Sequence, residues 1–90
     1  MAEKVDGAVV YKLKVPIVIG EIVTDTLRFK QPKLKQMRAL DGIQGEHNMF
    51  AKMIEKLTGL DRELVDEIDI SDFEGIGEII KNFTQKSQQT

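Results

Sequence analysis

The chain has no cysteine, no tryptophan and very little proline. Its 90 residues contain two Pro, one Tyr and four Phe. Without cysteine there is no disulfide framework, no thiolate zinc site and no thiol nucleophile. With so few aromatic residues, the core is expected to consist mainly of Ile, Leu, Val and Met.

Long hydrophobic runs are also missing. The longest apolar runs are a few residues, far below the roughly 20 that cross a bilayer. The start, "MAEKVDGAVVYKLK", has no long apolar run behind a basic segment, so we expect no signal peptide. The composition, 41% hydrophobic and 31% charged, is typical of a globular chain. We therefore expect one small domain, residues 1–90, in a reducing cytoplasm.

Charge is distributed unevenly along the chain. The net charge is −2, but residues 1–45 hold eight basic and five acidic residues, whereas residues 46–90 hold five and ten. An overall basic footprint, as a general nucleic-acid binder would need, is absent. Such polarity can align the protein with a complementary partner or stack copies head to tail, and a solvated surface without either role is the simpler interpretation.

The first third of the chain has the pattern of β-structure. Apolar residues alternate from Val9 to Ile19, and again through residues 21–30, with Gly20 at the turn between them. Pro16 cannot donate to a ladder, so it marks an edge, a bulge or the end of the first strand. Residues 8–30 are predicted to form a β-hairpin or short meander, and the first six residues are expected to fray.

Residues 32–83 have the pattern of three to four short helices. Pro32 introduces a helix that ends at Asp41-Gly42, and "EHNMFAKMIEKL" carries an apolar stripe ending at Leu57. Gly59 fits a left-handed C-terminal cap. The predicted class is thus α+β, with a polar tail at 84–90. The stripe residues expected in the core are Met49, Phe50, Met53, Ile54 and Leu57 of this helix, and Phe73, Ile76, Ile79, Ile80 and Phe83 of the last helix.

Residues 61–78 are strongly acidic, with eight carboxylates and one Arg. Asp61 is a candidate N-cap, and Ser71 with Glu74 has the spacing of a capping box. The spacing of a calcium loop is absent. Three interpretations of the remaining acids stay open, in this order: a solvated face, a surface for a basic partner, and a metal site.

No pattern indicates catalysis. His47 is the only histidine, and nothing marks a nucleophile with its base. The glycines match neither phosphate-binding motif. We expect no enzyme, no cofactor and no metal.

The order of segments resembles a known family. "VPIVIG", then "TLRFKQPKLKQM", then "KLTGLDRELVDEIDISDFEGIGEIIKNF" are similar to the tail assembly chaperones of Mu-like and P2-like contractile-tailed bacteriophages. The resemblance covers about residues 11–83. It departs at residues 29–31, which separate Arg28 from Pro32, and at Ile68-Asp69, where the family suggests Leu-Asp. The matching positions are Pro16, Ile17, Thr26, Leu27, Arg28, Pro32, residues 57–60, Ile68, Asp69, Asp72, Phe73 and Phe83.

The resemblance implies a function. Such a chaperone would bind the helical, aggregation-prone tape-measure protein and keep it soluble while the tail tube assembles, in the host cytoplasm and outside the mature virion. The tail tube protein and further copies of the chain are additional candidate partners; a membrane and nucleic acid are not expected. The residues predicted to contact a partner are Leu57, Leu60, Leu64, Asp66, Glu67, Ile68, Asp69, Phe73 and Ile80.

Two other functions stay open from the sequence. The first is a small structural component of the tail or neck that remains in the virion. The second is a small regulatory DNA-binding protein, which would need a basic recognition helix where the C-terminal helices are acidic.

Overall fold

The structure, a computed structural model, describes residues 2–5 and 7–86 of the chain. It confirms the α+β class. An N-terminal antiparallel sheet of three strands, in the order β1-β2-β3, precedes the helices. The strands are β1 (Ala2–Val5), β2 (Ala8–Ile19) and β3 (Ile22–Phe29).

The predicted hairpin is β2 with β3, and it is joined by a tight turn at Gly20, whose φ is 61°. The structure adds β1, which the sequence predicted to be frayed. The backbone of β1 pairs with β2 from Ala2 opposite Tyr11 to Val5 opposite Ala8. Its sequence, AEKV, is too short and too polar to show alternation, so backbone pairing rather than side-chain pattern defines this strand.

Pro16 lies in a β-bulge, one of the three positions predicted for it. The pairing of β2 with β3 runs regularly to Lys12 opposite Thr26 and resumes at Ile17 opposite Thr24. Residues 13–16 of β2 therefore face Asp25 alone. A bulge removes residues from the ladder and leaves their N–H groups in need of other acceptors.

The helices are α1 (Leu34–Arg38), α2 (Glu46–Thr58), α3 (Arg62–Asp66) and α4 (Phe73–Lys86), and a short 3-10 turn (Ile70–Asp72) precedes α4. Helix α1 is shorter than predicted, and Pro32 lies before its N-cap, Lys33. Helix α4 continues into the predicted tail, of which residues 87–90 lie outside the described part of the chain.

The caps were predicted with mixed success. Gly59 has φ 78° and donates its N–H to the Glu55 carbonyl at 2.9 Å, as predicted. Asp61 occupies the N-cap of α3 but makes no side-chain capping bond. The Ser71 capping box is wrong: Asp69 caps the 3-10 turn, and the Ser71 hydroxyl donates to the Asp69 carboxylate.

The core lies between the sheet and the helices. Lys30 N–H donates to the Leu57 carbonyl at 2.9 Å, which ties the end of β3 to the end of α2. Met49 is the exception in the predicted stripe of α2, because its side chain is exposed. The side chains at the centre of the core are Tyr11, Leu13, Ile17, Leu27, Phe29, Met53, Ile54, Leu57, Val65, Ile76 and Ile79.

Candidate functional site

A groove of about 200 Å³ opens between α2, α3 and the 3-10 turn. We call it the helical groove. Its floor is apolar and its edge carries carboxylates, a combination that suits an apolar side chain with basic neighbours. The lining residues are His47, Phe50, Ala51, Ile54, Val65, Asp66, Ile68, Asp69, Ile70 and Phe73.

The floor is formed where one face of α2 meets the start of α4. Residues 47, 50, 51 and 54 are spaced i, i+3, i+4, i+7 and so lie on one side of the helix. The Phe50 and Phe73 rings have centroids 4.5 Å apart, and His47 lies 5.7 Å from Phe73 in a tilted arrangement. These aromatic contacts join the N-terminal half of α2 to the start of α4.

The edge of the groove combines charge with one prominent apolar residue. Ile70 is 76% exposed. Asp69 accepts hydrogen bonds from the Ser71 N–H at 3.0 Å and the Ser71 hydroxyl at 2.6 Å, and these bonds hold the pKa of Asp69 below its usual value. Asp66 has only a loose, exposed ion pair with Arg62 at 4.0 Å, which contributes little. Both carboxylates can therefore face a cationic ligand.

The wall of the groove is anchored to the sheet by a buried carboxylate, Asp72. It is fully buried and accepts hydrogen bonds from the Tyr11 hydroxyl at 2.8 Å and from the N–H groups of Lys14 at 2.9 Å and Val15 at 3.3 Å. We call this the Asp72 network. It satisfies the N–H groups that the bulge frees and joins the 3-10 turn to β2.

The network changes the ionisation of Tyr11. Burial, followed by the hydrogen bond to Asp72 and the negative charge of Asp72, raises the pKa of Tyr11 to about 12. The phenol is therefore a neutral donor over the whole physiological range. Three donors satisfy the buried Asp72 side chain, as a buried polar group requires.

The structure brings four of the nine predicted contact residues together in the helical groove: Asp66, Ile68, Asp69 and Phe73. Glu67 is exposed but does not line the groove. Leu57 is only 1% exposed, so it packs in the core rather than at a surface. The remaining three predicted contact residues, Leu60, Leu64 and Ile80, are half-buried and pack against the core, outside the groove lining.

Sequence reasoning missed His47, Phe50 and Ile70 as groove residues. The signal for the first two was present, since the 47, 50, 51, 54 spacing is a helical face. From the sequence, however, Phe50 is predicted to lie in the core, and a lone His at a helix start is typical of a surface residue. Ile70 lies between two acids in a stretch with no period, so no pattern marked it as prominent.

Three further features of the described residues concern metals, membranes and exposed apolar residues. No group of three or more His, Asp or Glu in the described part of the chain could hold a metal ion. Across the same residues, none of the helices has the length and apolar character needed to cross a membrane. The end of the β2–β3 hairpin exposes the apolar residues Val18, Ile22 and Val23.

The comparisons with known proteins identify the family. The model of the family described as "Phage tail assembly chaperone proteins, E, or 41 or 14" matches residues 10–85, which is well over half of the chain. No curated protein and no solved structure matches the chain significantly. The chain therefore belongs to this family of phage tail assembly chaperones, as the resemblance indicated. Membership implies a non-enzymatic role with a tail protein as partner.

Proposed function

We propose that the protein binds the tape-measure protein of its phage and keeps it soluble while the tail tube assembles. The family supplies the setting, and the helical groove supplies a surface that suits a helical client. The observation that carries the proposal is the apolar floor of this groove between Asp66 and Asp69, with Ile70 exposed at its edge.

The groove suits an amphipathic client helix that presents an apolar side chain flanked by Lys or Arg. The client side chain would pack on Phe50 and Phe73, and its basic neighbours would face Asp66 and Asp69. Burying one large apolar side chain is worth about 1.5–3 kcal/mol. A single groove therefore binds weakly, and several copies along a long client would together cover it while each remains able to dissociate.

The test is co-expression with the tape-measure protein of the same phage, followed by affinity pull-down and measurement of soluble client. Ile70→Ser removes the exposed apolar edge of the groove without touching the core. Ile22→Ser is the matched control, because Ile22 is 66% exposed on the hairpin. We expect Ile70→Ser to lower the soluble client several-fold and Ile22→Ser to leave it near the wild-type amount.

Two results would count against the proposal. If the tape-measure protein is equally insoluble with and without this protein, this protein is not its chaperone. Loss of client with Ile22→Ser but not with Ile70→Ser would move the binding surface to the hairpin.

A chaperone of this kind acts in the bacterial cytoplasm and leaves before the particle is complete. Mass spectrometry of purified virions tests this against the structural tail or neck component that the sequence left open. We expect the protein in the infected-cell lysate and not in the particle. A stoichiometric amount in washed virions would favour the structural component.

A further inference from the structure

A second groove, of about 580 Å³, is lined by basic side chains, in contrast to the acidic edge of the helical groove. It is formed by the start of β2, the end of β3 and α1, and we call it the basic groove. Among the residues that the structure describes, its four cations make no ion pair with an Asp or Glu side chain. The charged side chains that line it, among those that the structure describes, are all basic: Arg28, Lys30, Lys33 and Lys35.

The most exposed apolar residue near this groove is Leu34, which is 73% exposed at the start of α1. It follows Lys33 and precedes Lys35, so an aliphatic side chain stands between two cations. Leu34 is absent from the core and from the residues packed against it. Core packing within one copy therefore does not account for a leucine at this position.

The helical groove is the complement of this segment. At about 200 Å³ the groove has room for an isobutyl group, since a cavity of about 150 Å³ accommodates the larger benzene molecule. Its edge carries Asp66 and Asp69, where the Leu34 segment carries Lys33 and Lys35. The residues lining the two grooves do not overlap.

We propose that two copies of this chain associate head to tail, with Leu34 of one copy inserted in the helical groove of the next. Leu34 packs on Phe50 and Phe73, while Lys33 and Lys35 face Asp66 and Asp69. Because the donor and acceptor surfaces differ, a pair of bound copies keeps one free donor surface and one free acceptor surface. Such a heterologous contact builds an open chain, or a ring where the rotation closes.

The contact has a consequence for client binding. Leu34 would occupy the groove that the proposed function gives to the client, so self-association and client binding compete for one surface. Self-association itself needs no client, and it is measured on the isolated protein. Its outcome is therefore independent of the co-expression test.

The first experiment is sedimentation velocity of the full chain between about 10 μM and about 1 mM, the range of weak specific contacts. We expect a reversible rise in average mass with concentration, and a smaller rise at high salt, because the Debye length falls from about 8 Å at 0.15 M to about 3 Å at 1 M. Leu34→Ala keeps helix propensity, and we expect it to raise the dissociation constant at least about fivefold. A chain that stays monomeric throughout, or association unchanged by Leu34→Ala, overturns the proposal.

The second experiment exchanges charges between the two surfaces. K33E/K35E reverses the donor segment, and D66K/D69K reverses both carboxylates of the acceptor edge. Asp69 also caps the 3-10 turn, so the circular dichroism of D66K/D69K is compared with that of wild type before association is measured. Each variant alone should raise the dissociation constant at least about tenfold. An equimolar mixture of the two should associate again, because each mutated surface then meets a surface of opposite sign.

A matched control excludes a general effect of net charge. K12E/K56E makes the same change of charge at two exposed lysines outside both grooves, and it should associate within about threefold of wild type. Far-ultraviolet circular dichroism checks that each variant is folded. If the mixture stays monomeric while both variants are folded, the proposed pairing of these two surfaces is wrong.

Discussion

Two glycines of α4, Gly75 and Gly77, should respond in opposite directions to the same substitution. The sequence predicts that both weaken the helix, by roughly 1 kcal/mol each relative to Ala. In the structure, a Cβ at Gly75 would lie 2.5 Å from the Tyr11 hydroxyl oxygen and 2.8 Å from two ring carbons, Cε1 and Cζ. A Cβ at Gly77 meets only Phe50, at an ordinary contact distance of 3.8 Å.

The two effects of the methyl group can be weighed. Gly77→Ala gains up to about 1 kcal/mol of helix propensity with no clash. Gly75→Ala has the same gain, but the Tyr11 ring must move. Overpacking costs about 1–3 kcal/mol, and losing a hydrogen bond to a charged acceptor, here Asp72, costs about 1.5–3 kcal/mol more. We expect Gly75→Ala to destabilise the fold by about 2–4 kcal/mol.

The assay is thermal unfolding at neutral pH, followed by circular dichroism. For a domain of this size, 1 kcal/mol corresponds to about 4–8 °C in Tm. The Tm of Gly75→Ala should therefore fall by at least about 8 °C, while that of Gly77→Ala should rise by a few degrees. Gly77→Ala is the matched control for glycine replacement within one helix.

A double-mutant cycle tests whether Tyr11 is the cause. Tyr11→Phe removes the hydroxyl, so Gly75→Ala in that background has no hydrogen bond left to break. The double variant should be more stable than the sum of the single effects by at least about 1 kcal/mol. Strict additivity, or a Gly75→Ala protein as stable as wild type, would refute the reasoning about this contact.

Three further outcomes follow from the same structure. Tyr11 is the only tyrosine, so near-ultraviolet phenolate absorbance should give a midpoint near pH 12 in the folded protein and about 10 in denaturant. Between these two pH values only the unfolded state loses the phenol proton, so the free energy of unfolding falls as the pH rises. The Tyr11→Phe variant should lack that fall. A folded midpoint near 10 would contradict the network. Asp72→Ala should cost about 3–5 kcal/mol in thermal unfolding, because it leaves the Tyr11 hydroxyl and the Lys14 and Val15 N–H groups without an acceptor; a loss under about 1 kcal/mol would be inconsistent with this. For Asp69, whose pKa is lowered, the stabilising contribution is present above the unfolded pKa of about 4 and lost as pH falls; the difference in stability between wild type and Asp69→Asn should narrow in acid, and parallel pH profiles would argue against the Ser71 bonds.

Periodicity predicted the elements that bury one face. Alternation in β2 and β3 and the helical spacing in α2 and α4 follow directly from burial, since Leu27 and Phe29 are buried on one strand and Ile54 and Ile76 on two helices. These predictions needed no knowledge of what each face packs against. The same reasoning failed for β1, because four residues paired through the backbone leave no side-chain period to detect.

The Asp72 network was not predictable from local sequence. Ser71 and Glu74 have the spacing of a capping box, and Asp72 falls in a first turn where a negative charge is favourable, so a solvated capping acid was the natural interpretation. Asp72 is buried instead because of three hydrogen-bond donors that lie 57 to 61 residues away from it in the sequence. They meet only because the bulge frees two N–H groups next to Tyr11. The role of Gly75 could not be predicted from local sequence either, because this glycine leaves the space that the Tyr11 side chain occupies.

The helical groove could be predicted from the sequence only in part, for a similar reason. Four residues that the sequence predicts as partner contacts, Asp66, Ile68, Asp69 and Phe73, line the groove, and their contact with a partner stays a prediction. The opposite side of the groove comes from α2, and which face of that helix stays partly open depends on how α3 crosses it. Single-sequence reasoning has no measure of that crossing.

The Asp72 network and the helical groove share the 3-10 turn. Residues that hold this turn in place can therefore be distinguished from residues that only line the groove. Asp72 closes the 3-10 turn against β2, and the same turn carries Asp69 and Ile70 to the edge of the groove. The groove is thus held in shape before any ligand arrives, which lowers the ordering cost of binding. Substitution at Tyr11 or Gly75 would disturb stability and binding together, whereas substitution at the exposed Ile70 would disturb binding alone. A variant series that includes both kinds can therefore distinguish a chaperone that has lost its surface from one that has lost its fold.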